Sequence, residues 1–242
     1  MLSLSLNRLS QQQGLQESSS EALIHVDVFG EGKFKRVSRG QYIAGPRRGQ
    51  PCVAKTFKPG YGSFQQQLVA ELRVIGKAES IVDAWNVARI IAPSVHLLVP
   101  ELMVDEHGRG EHRLMEPLIV RYRKHNNNVG LTDPAMDVWN EIMQALSHFS
   151  YHHCRGFHLL CDIQGGIGCR SYLITDPVIH SITNGQFGPT DLGEKGILKF
   201  FASHRCNGLC LSDWTWPAEL ARCPAPIQRV PNQPRWRAAH RH

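Results

Sequence analysis

Asp162 and Gln164 in CDIQGG, and Asp176 in ITDP, put oxygen donors at the ends of short apolar runs, and Lys55 sits near the end of another, PCVAKTF. An acid that takes a hydroxyl proton, oxygen donors for magnesium and a fixed cation against phosphate are what phosphoryl transfer requires. Asp162 and Gln164 flank Ile163, so a continuous strand would point both to one face. Each residue alone has a plainer explanation. Asp before Pro initiates turns, and a lysine at a strand end usually lies in solvent. Together they form a constellation. Upstream, FGEGKFKR adds a glycine turn with basic residues able to fold over phosphates, a weak signal by itself.

A second group of donors lies in FFASHRCNGLC. His204, Cys206 and Cys210 supply one nitrogen and two thiolates, one short of the four that a tetrahedral zinc ion takes. Cysteines four apart would share one side of a helical turn. The fourth ligand must come from elsewhere, with His148, His152, His153 and His180 as candidates. Buried free cysteines are common without any metal. A zinc module that reads nucleic acid fits poorly, because LSDWTWPAEL follows, acidic and apolar where such a module needs lysine and arginine.

The elements that must position these groups read in two halves. LIHVDVF, FKRVSRGQYIA and PCVAKTF are strand-like and separated by glycine-bearing turns. A long amphipathic helix follows, with Leu68, Leu72, Ile75, Ala78 and Val82 at helical spacing. LLVPELMVD and HRLMEPLIVRYRKH are two more strands around EHGRGE. Thr132 or Asp133 can then cap a helix, with Pro134 in its first turn and Met136, Trp139, Met143, Leu146 and Phe149 or Ser150 on one face. GFHLLCDIQGG reads as a buried strand entering a glycine turn, SYLITDP as another strand, and DLGEKGILKFFASH as helical.

A chain of 242 residues with 42% hydrophobic and 20% charged residues can bury a sizeable core. Its net charge of +6 is concentrated partly in the final RVPNQPRWRAAHRH, a tail more than a binding face. Seven cysteines without a paired spacing do not form a secreted disulfide framework. No apolar run approaches the ~20 residues of a membrane span, and MLSLSLNRLSQQQG lacks an apolar signal core. The expectation is a cytoplasmic protein with neither a membrane nor a nucleic-acid partner. Arg8, several serines and no acid before Glu17 give the leader a faint transit-peptide character, set against a disordered polar leader.

ALSHFSYHHCRGFHLLCDIQG, ITDP and FGPTDLGEKGILKFFASHRCNGLC together resemble the catalytic domain of the alpha-kinases, the atypical serine/threonine protein kinases, over about Val26 to Leu211. The resemblance implies an α+β, two-lobed protein-kinase-like fold, with a strand-rich N-lobe at about 21–115 and a mixed, zinc-braced C-lobe at about 116–212. Around it would lie a disordered leader, 1–20, and an extended basic tail, 213–242. It implies ATP and magnesium as cofactors and a protein serine or threonine as acceptor, with the nucleotide between the lobes. By position, Lys55 would contact ATP phosphates, Glu116 and the backbone of Leu118 the adenine, and Lys35 or Arg36 of the glycine turn the triphosphate. Asp162 would be the catalytic aspartate, Gln164 and Asp176 the magnesium ligands, and Gly193 and Gly196 the substrate-binding glycines. Zinc would be held by His148, His204, Cys206 and Cys210, closed and structural. Asn126 to Asn128 would lie near the active site, with His125 in place of the usual tyrosine. Two departures stand out: GKFKR lacks the family's usual placement of arginine, and the loop GGIGCRSYL between Asp162 and Asp176 is long. The competing reading is a kinase-like scaffold that binds nucleotide without transferring phosphate.

Overall fold

The computed structural model describes residues 2–6, 20–105, 110–132, 138–168 and 171–220, with the backbone alone for 2–6. Asp133, Pro134 and Met136 of the expected helix start, the turn at 106–109 and the tail at 221–242 lie outside the described residues. In chain order the elements are β1 Leu2–Leu6, β2 Glu21–Glu31, β3 Lys35–Ala44, β4 Pro51–Phe57, α1 Phe64–Ala88, β5 Ser94–Leu97, β6 Glu101–Val104 and β7 His112–Pro117. Then come β8 Arg123–Lys124, α2 Val138–His153, β9 His158–Cys161, β10 Gln164–Ile167, β11 Ser171–Thr175, β12 Val178–Ser181 and α3 Glu194–Ser203.

The chain divides into two compact units, 1–69 with 98–120, and 70–97 with 121–242. The boundary differs from the expected break at 115. Most of α1 belongs to the second unit because Val74, Ala78, Ile81, Val82 and Trp85 bury against α2 residues Ile142, Met143, Leu146 and Phe149 in one core. Glu116 and Leu118 fall in the first unit, since β7 pairs with β4 (Val53↔Glu116, Lys55↔Leu114).

The first unit is a closed antiparallel barrel in the order β1-β2-β3-β4-β7-β6, which leaves no open sheet edge. Its interior is filled by Ala22, Ile24, Tyr42, Cys52, Ala54, Met103 and Met115. Closure corrects the expectation of a wholly disordered leader. Leu2–Leu6, LSLSL, alternates with the period of a strand and pairs with both β2 and β6.

The second unit carries a four-stranded sheet, β5-β11-β10-β8, and a two-stranded β12-β9 ribbon. The single strand expected over GFHLLCDIQGG is two strands of different sheets. Asp162 breaks it by adopting a left-handed φ of 55°. The end of the domain also moves. Trp214, expected in the tail, is buried in the main core, while Trp216 and Leu220 pack on Tyr151, Ile197, Phe200 and Phe201. Aromatic side chains this large gain ~2 kcal/mol or more each by burial, which WTWPAEL supplies despite its proline.

Candidate functional site

In the first unit, the register β3–β4–β7 sets Lys55 beside the strand that bears Glu116. Their side chains form an ion pair at 2.7 Å, with only 5% and 4% of each exposed. A buried charge is tolerated when it is paired, so the two positions expected to serve phosphate and adenine separately are coupled at rest. Leu118 donates its N–H to the Pro51 carbonyl at 3.0 Å. With its N–H so engaged, Leu118 keeps its carbonyl as the backbone group it could offer. Lys35 places its ammonium 5.7 Å from the centre of the Phe57 ring. Arg36 instead pairs with Glu31 at 3.8 Å, and Lys58 also pairs with Glu31.

In the second unit, β10 and β11 form a hairpin in which Gln164 faces Thr175. Asp162 lies two residues before one strand and Asp176 one residue after the other, so both meet at the open end. Most of GGIGCRSYL, expected as a long loop, is strand, with 165–167 in β10 and 171–173 in β11. Both aspartates adopt left-handed backbone, with φ of 55° and 47°. Non-glycine residues there cost roughly 1–3 kcal/mol each and concentrate at functional sites. The simple alternation of Asp162 and Gln164 along one strand therefore does not hold. Yet Gln164 Nε2 still reaches Asp162 Oδ2 at 3.4 Å and donates to the Asp176 carbonyl at 3.0 Å.

Two residues the sequence reasoning passed over complete this cluster. Lys124 Nζ lies 2.7 Å from Asp162 Oδ1, and Tyr122 donates its hydroxyl to Gln164 Oε1 at 2.5 Å. Tyr122 precedes β8 and Lys124 lies in it, and both reach the end of β10 from there. Burial pushes the Asp162 carboxyl above its ordinary pKa, an effect that Lys124 opposes and the Asp176 charge reinforces. A carboxyl so raised is a better proton acceptor near neutral pH than a solvated aspartate.

Asn126 Oδ1 accepts the Ile163 N–H at 2.8 Å, and Asn126 Nδ2 donates to Ser147 at 3.1 Å. The DLGEKG motif is organised by Asp191, which the sequence reasoning also missed. Its buried carboxylate accepts from Ser181 N, Gly193 N, Phe187 N and the Ser181 hydroxyl. Gly193 begins α3 with a φ of 66°. A Cβ on Gly196 would lie 2.4 Å from the buried His180 ring. That ring donates from Nε2 to the Asn128 carbonyl and accepts the Leu192 N–H at Nδ1, so it is neutral; burial accordingly lowers its pKa. Both glycines thus have backbone and packing reasons to be glycine.

The expected zinc donors converge. One ligand atom from each of His148, His204, Cys206 and Cys210 lies within 4.8 Å of the others. His148 Nδ1 is 3.6 Å from Cys206 Sγ, and His204 Nε2 lies 3.7 and 3.8 Å from the two sulfurs. A tetrahedral zinc with ordinary Zn–N and Zn–S bonds requires N···S edges of ~3.6 Å, so the set fits. His148 donates Nε2–H to the Thr215 carbonyl at 3.2 Å, which leaves Nδ1 as the ligand atom in the manner of metal-binding histidines. Cys206 is driven to ionise, chiefly by the hydrogen bond from Cys210, while Cys210 retains the shared proton and is pushed the other way. The cysteines are not on a helical turn. They follow α3 in an irregular segment closed by Cys210 N–H to Asn207 O at 3.1 Å. His148 takes the open fourth position. His152 instead bonds Thr215, His153 stacks on Phe149, and His180 is held as above.

These features coincide with similarities to known proteins. The model of the alpha-kinase family matches residues 30–210. Alpha-protein kinase 1 of Dictyostelium discoideum is 30% identical over 187 residues, spanning 75% of this chain and 13% of that protein. The human transient receptor potential cation channel subfamily M member 6 is 37% identical over 175 residues, 67% of this chain and 9% of the channel. The chain therefore corresponds to a small part of such relatives. Among solved structures, the inactive alpha-kinase domain of myosin-II heavy chain kinase A complexed with ATP aligns at a TM-score of 0.67 and 19% identity, covering 89% of this chain and 96% of that one. An alpha kinase from Entamoeba histolytica aligns at 0.65 and 20%, covering 86% and 89%. No helix among the described residues is long and apolar enough to cross a membrane. With the family model spanning most of its length and that fold in common, the chain belongs to the alpha-kinase family.

Proposed function

We propose that this chain is an ATP- and magnesium-dependent protein kinase that transfers the γ-phosphoryl group to a serine or threonine hydroxyl of a protein. The observation that carries the reading is the open end of the β10–β11 hairpin, where the Asp162 carboxylate, the Gln164 amide and Asp176 meet beside Lys124. Asp162 accepts the proton of the attacking hydroxyl, its carboxyl being raised by burial. Gln164 Oε1 and the Asp176 carboxylate would hold magnesium, with Tyr122 fixing which way the amide faces. A magnesium ion held by these two residues would offset the negative charge of the transferring group. Lys124 stands against Asp162 Oδ1 and offers a second cation for that charge.

Lys55 supplies the cation for the phosphates and Glu116 the acceptor beside the adenine. ATP binding then requires Lys55 to exchange one anionic partner for another. Lys35 carries a further positive charge at the glycine turn. Gly193 and Gly196 shape the segment at which the acceptor peptide docks. His148, His204, Cys206 and Cys210 would hold zinc with all four positions filled by protein. The site is therefore structural and ties α2 to the segment after α3.

Incubation with labelled ATP, magnesium and a generic basic protein tests the reading, with phosphoamino-acid analysis of the product. Label on serine or threonine that disappears in Asp162→Ala is the expected result. Nucleotide binding without transfer would make the protein a scaffold and overturn it.

A further inference from the structure

His125 is fully enclosed, 1% exposed, yet no step above uses it. Both ring nitrogens are engaged. Nδ1 lies 2.5 Å from Asn140 Oδ1 on α2, and Nε2 meets the Tyr172 hydroxyl on β11. An amide oxygen can only accept, so Nδ1 donates to Asn140. The ring thereby links Tyr172 on β11 to Asn140 on α2. The backbone of the same residue donates its N–H to the Ile163 carbonyl at 2.8 Å. Ile163 is the residue between Asp162 and Gln164, and its own N–H goes to Asn126 Oδ1 at 2.8 Å.

We infer that His125 is a positioning residue for phosphoryl transfer, a post between α2 and β11 that fixes the Ile163 peptide and through it the aim of Asp162. This rests on the reading of Asp162 as the proton acceptor. Asp162 occupies a left-handed conformation that non-glycine residues adopt only singly. Such a conformation persists only where neighbours over-determine it. The residue after it is held from both sides by His125 and Asn126, which is that over-determination. A phenylalanine at 125 would fill the space but could bond neither Asn140 nor Tyr172. The post could then shift, and displacements of ~1 Å at a reacting group cost up to ~100-fold in rate.

The test is steady-state kinetics of His125→Phe and Tyr172→Phe in the intact chain, with Asp162→Ala alongside and active-site concentration taken from nucleotide binding. His125→Phe should lower kcat about tenfold, with KM for ATP and for the acceptor within about twofold. Tyr172→Phe, which loses one hydroxyl, should lower kcat about threefold. The double variant should be no worse than His125→Phe alone. A kcat per folded site that stays at the wild-type level in His125→Phe overturns the inference, as does a change confined to KM. If His125→Phe does not fold, Tyr172→Phe decides by the same criteria. An active Asp162→Ala would instead overturn the underlying assignment of Asp162, a separate outcome.

Discussion

Gly165 is where a single methyl group should do most damage to the candidate site. It lies in β10, next to Gln164 and paired with Ile174. A Cβ built there would stand 1.8 Å from the Leu173 carbonyl oxygen and 2.8 Å from its carbon. Backbone atoms cannot swing aside like a side-chain tip, so relief requires the hairpin strands to part by about 1.6 Å to reach ordinary contact. Overpacking of this kind costs about 1–3 kcal/mol. For a chain of this size that corresponds to a Tm lowered by roughly 2–12 °C. The strands that part carry Gln164 on one side and Asp176 on the other, so kcat/KM for ATP should fall by up to ~100-fold. Gly168→Ala is the control, because the nearest atoms there are Ser171 Oγ at 3.2 Å and Ser171 O at 3.3 Å, a crowding that small shifts absorb. Calorimetry and transfer assays on the two variants should separate them clearly. A Gly165→Ala protein with wild-type Tm and kcat/KM would show that the hairpin does not need close approach at its open end.

Metal analysis should find one zinc per chain, and Cys206→Ala, which breaks the cluster, should lose the metal and unfold the second unit. Thermal melts after chelation should fall by 10 °C or more, since structural zinc contributes ~10 kcal/mol or more in small domains; a soluble Cys206→Ala protein with unchanged Tm would refute the zinc assignment. Asp191→Ala strands three backbone N–H donors in the core and should cost at least about 3 kcal/mol, read as a shift of the denaturation midpoint. His153, His158 and His180 all have pKa values lowered by burial from 6.5. The unfolded chain therefore binds more protons, and stability present above pH 6.5 should be lost as pH falls below it; a flat urea midpoint from pH 7 to 5 would contradict this. Lys124 holds Asp162 down against its burial, so Lys124→Met should move the acidic limb of the kcat profile to higher pH.

The strands bearing Lys55 and Glu116 were legible in the sequence because PCVAKTF and HRLMEP combine apolar runs with glycine-marked breaks. The inward face of α2 was legible for a different reason, the 3.6-residue recurrence of Trp139, Met143 and Leu146. What escaped was set by long-range partners. Nothing local in CDIQGG announces that Asp162 turns left-handed, since the bonds that hold Ile163 come from residues 125 and 126. The four-residue spacing of Cys206 and Cys210 suggested a helix, but α3 ends at Ser203 and the metal geometry is met by an irregular turn. WTWPAEL looked like tail because its proline and polar residues masked two tryptophans whose partners, Phe149 for Trp214 and Phe201 for Trp216, lie in other elements. Asp191 gave no signal beyond a turn-forming TDLG, because its role is to collect N–H groups from three separate positions.

Placing Asp162 and Asp176 both in left-handed backbone has a consequence for how the site can work. Each conformation costs roughly 1–2 kcal/mol for an L-residue, and neither aspartate is replaced by glycine, which would remove that cost. Glycine would also remove the carboxylate. The chain therefore keeps the side chain and stabilises the backbone from outside, through Asn126 and His125 on Ile163 and through Gln164 on the Asp176 carbonyl. The same Gln164 amide that would face magnesium with its oxygen uses its nitrogen to hold Asp176. Metal binding and backbone restraint are thus two ends of one side chain. Glutamate at this position would keep an oxygen for the metal but lose the donor that holds Asp176, and it would set a third carboxylate beside two others. The glutamine is needed for its N–H as much as for its carbonyl.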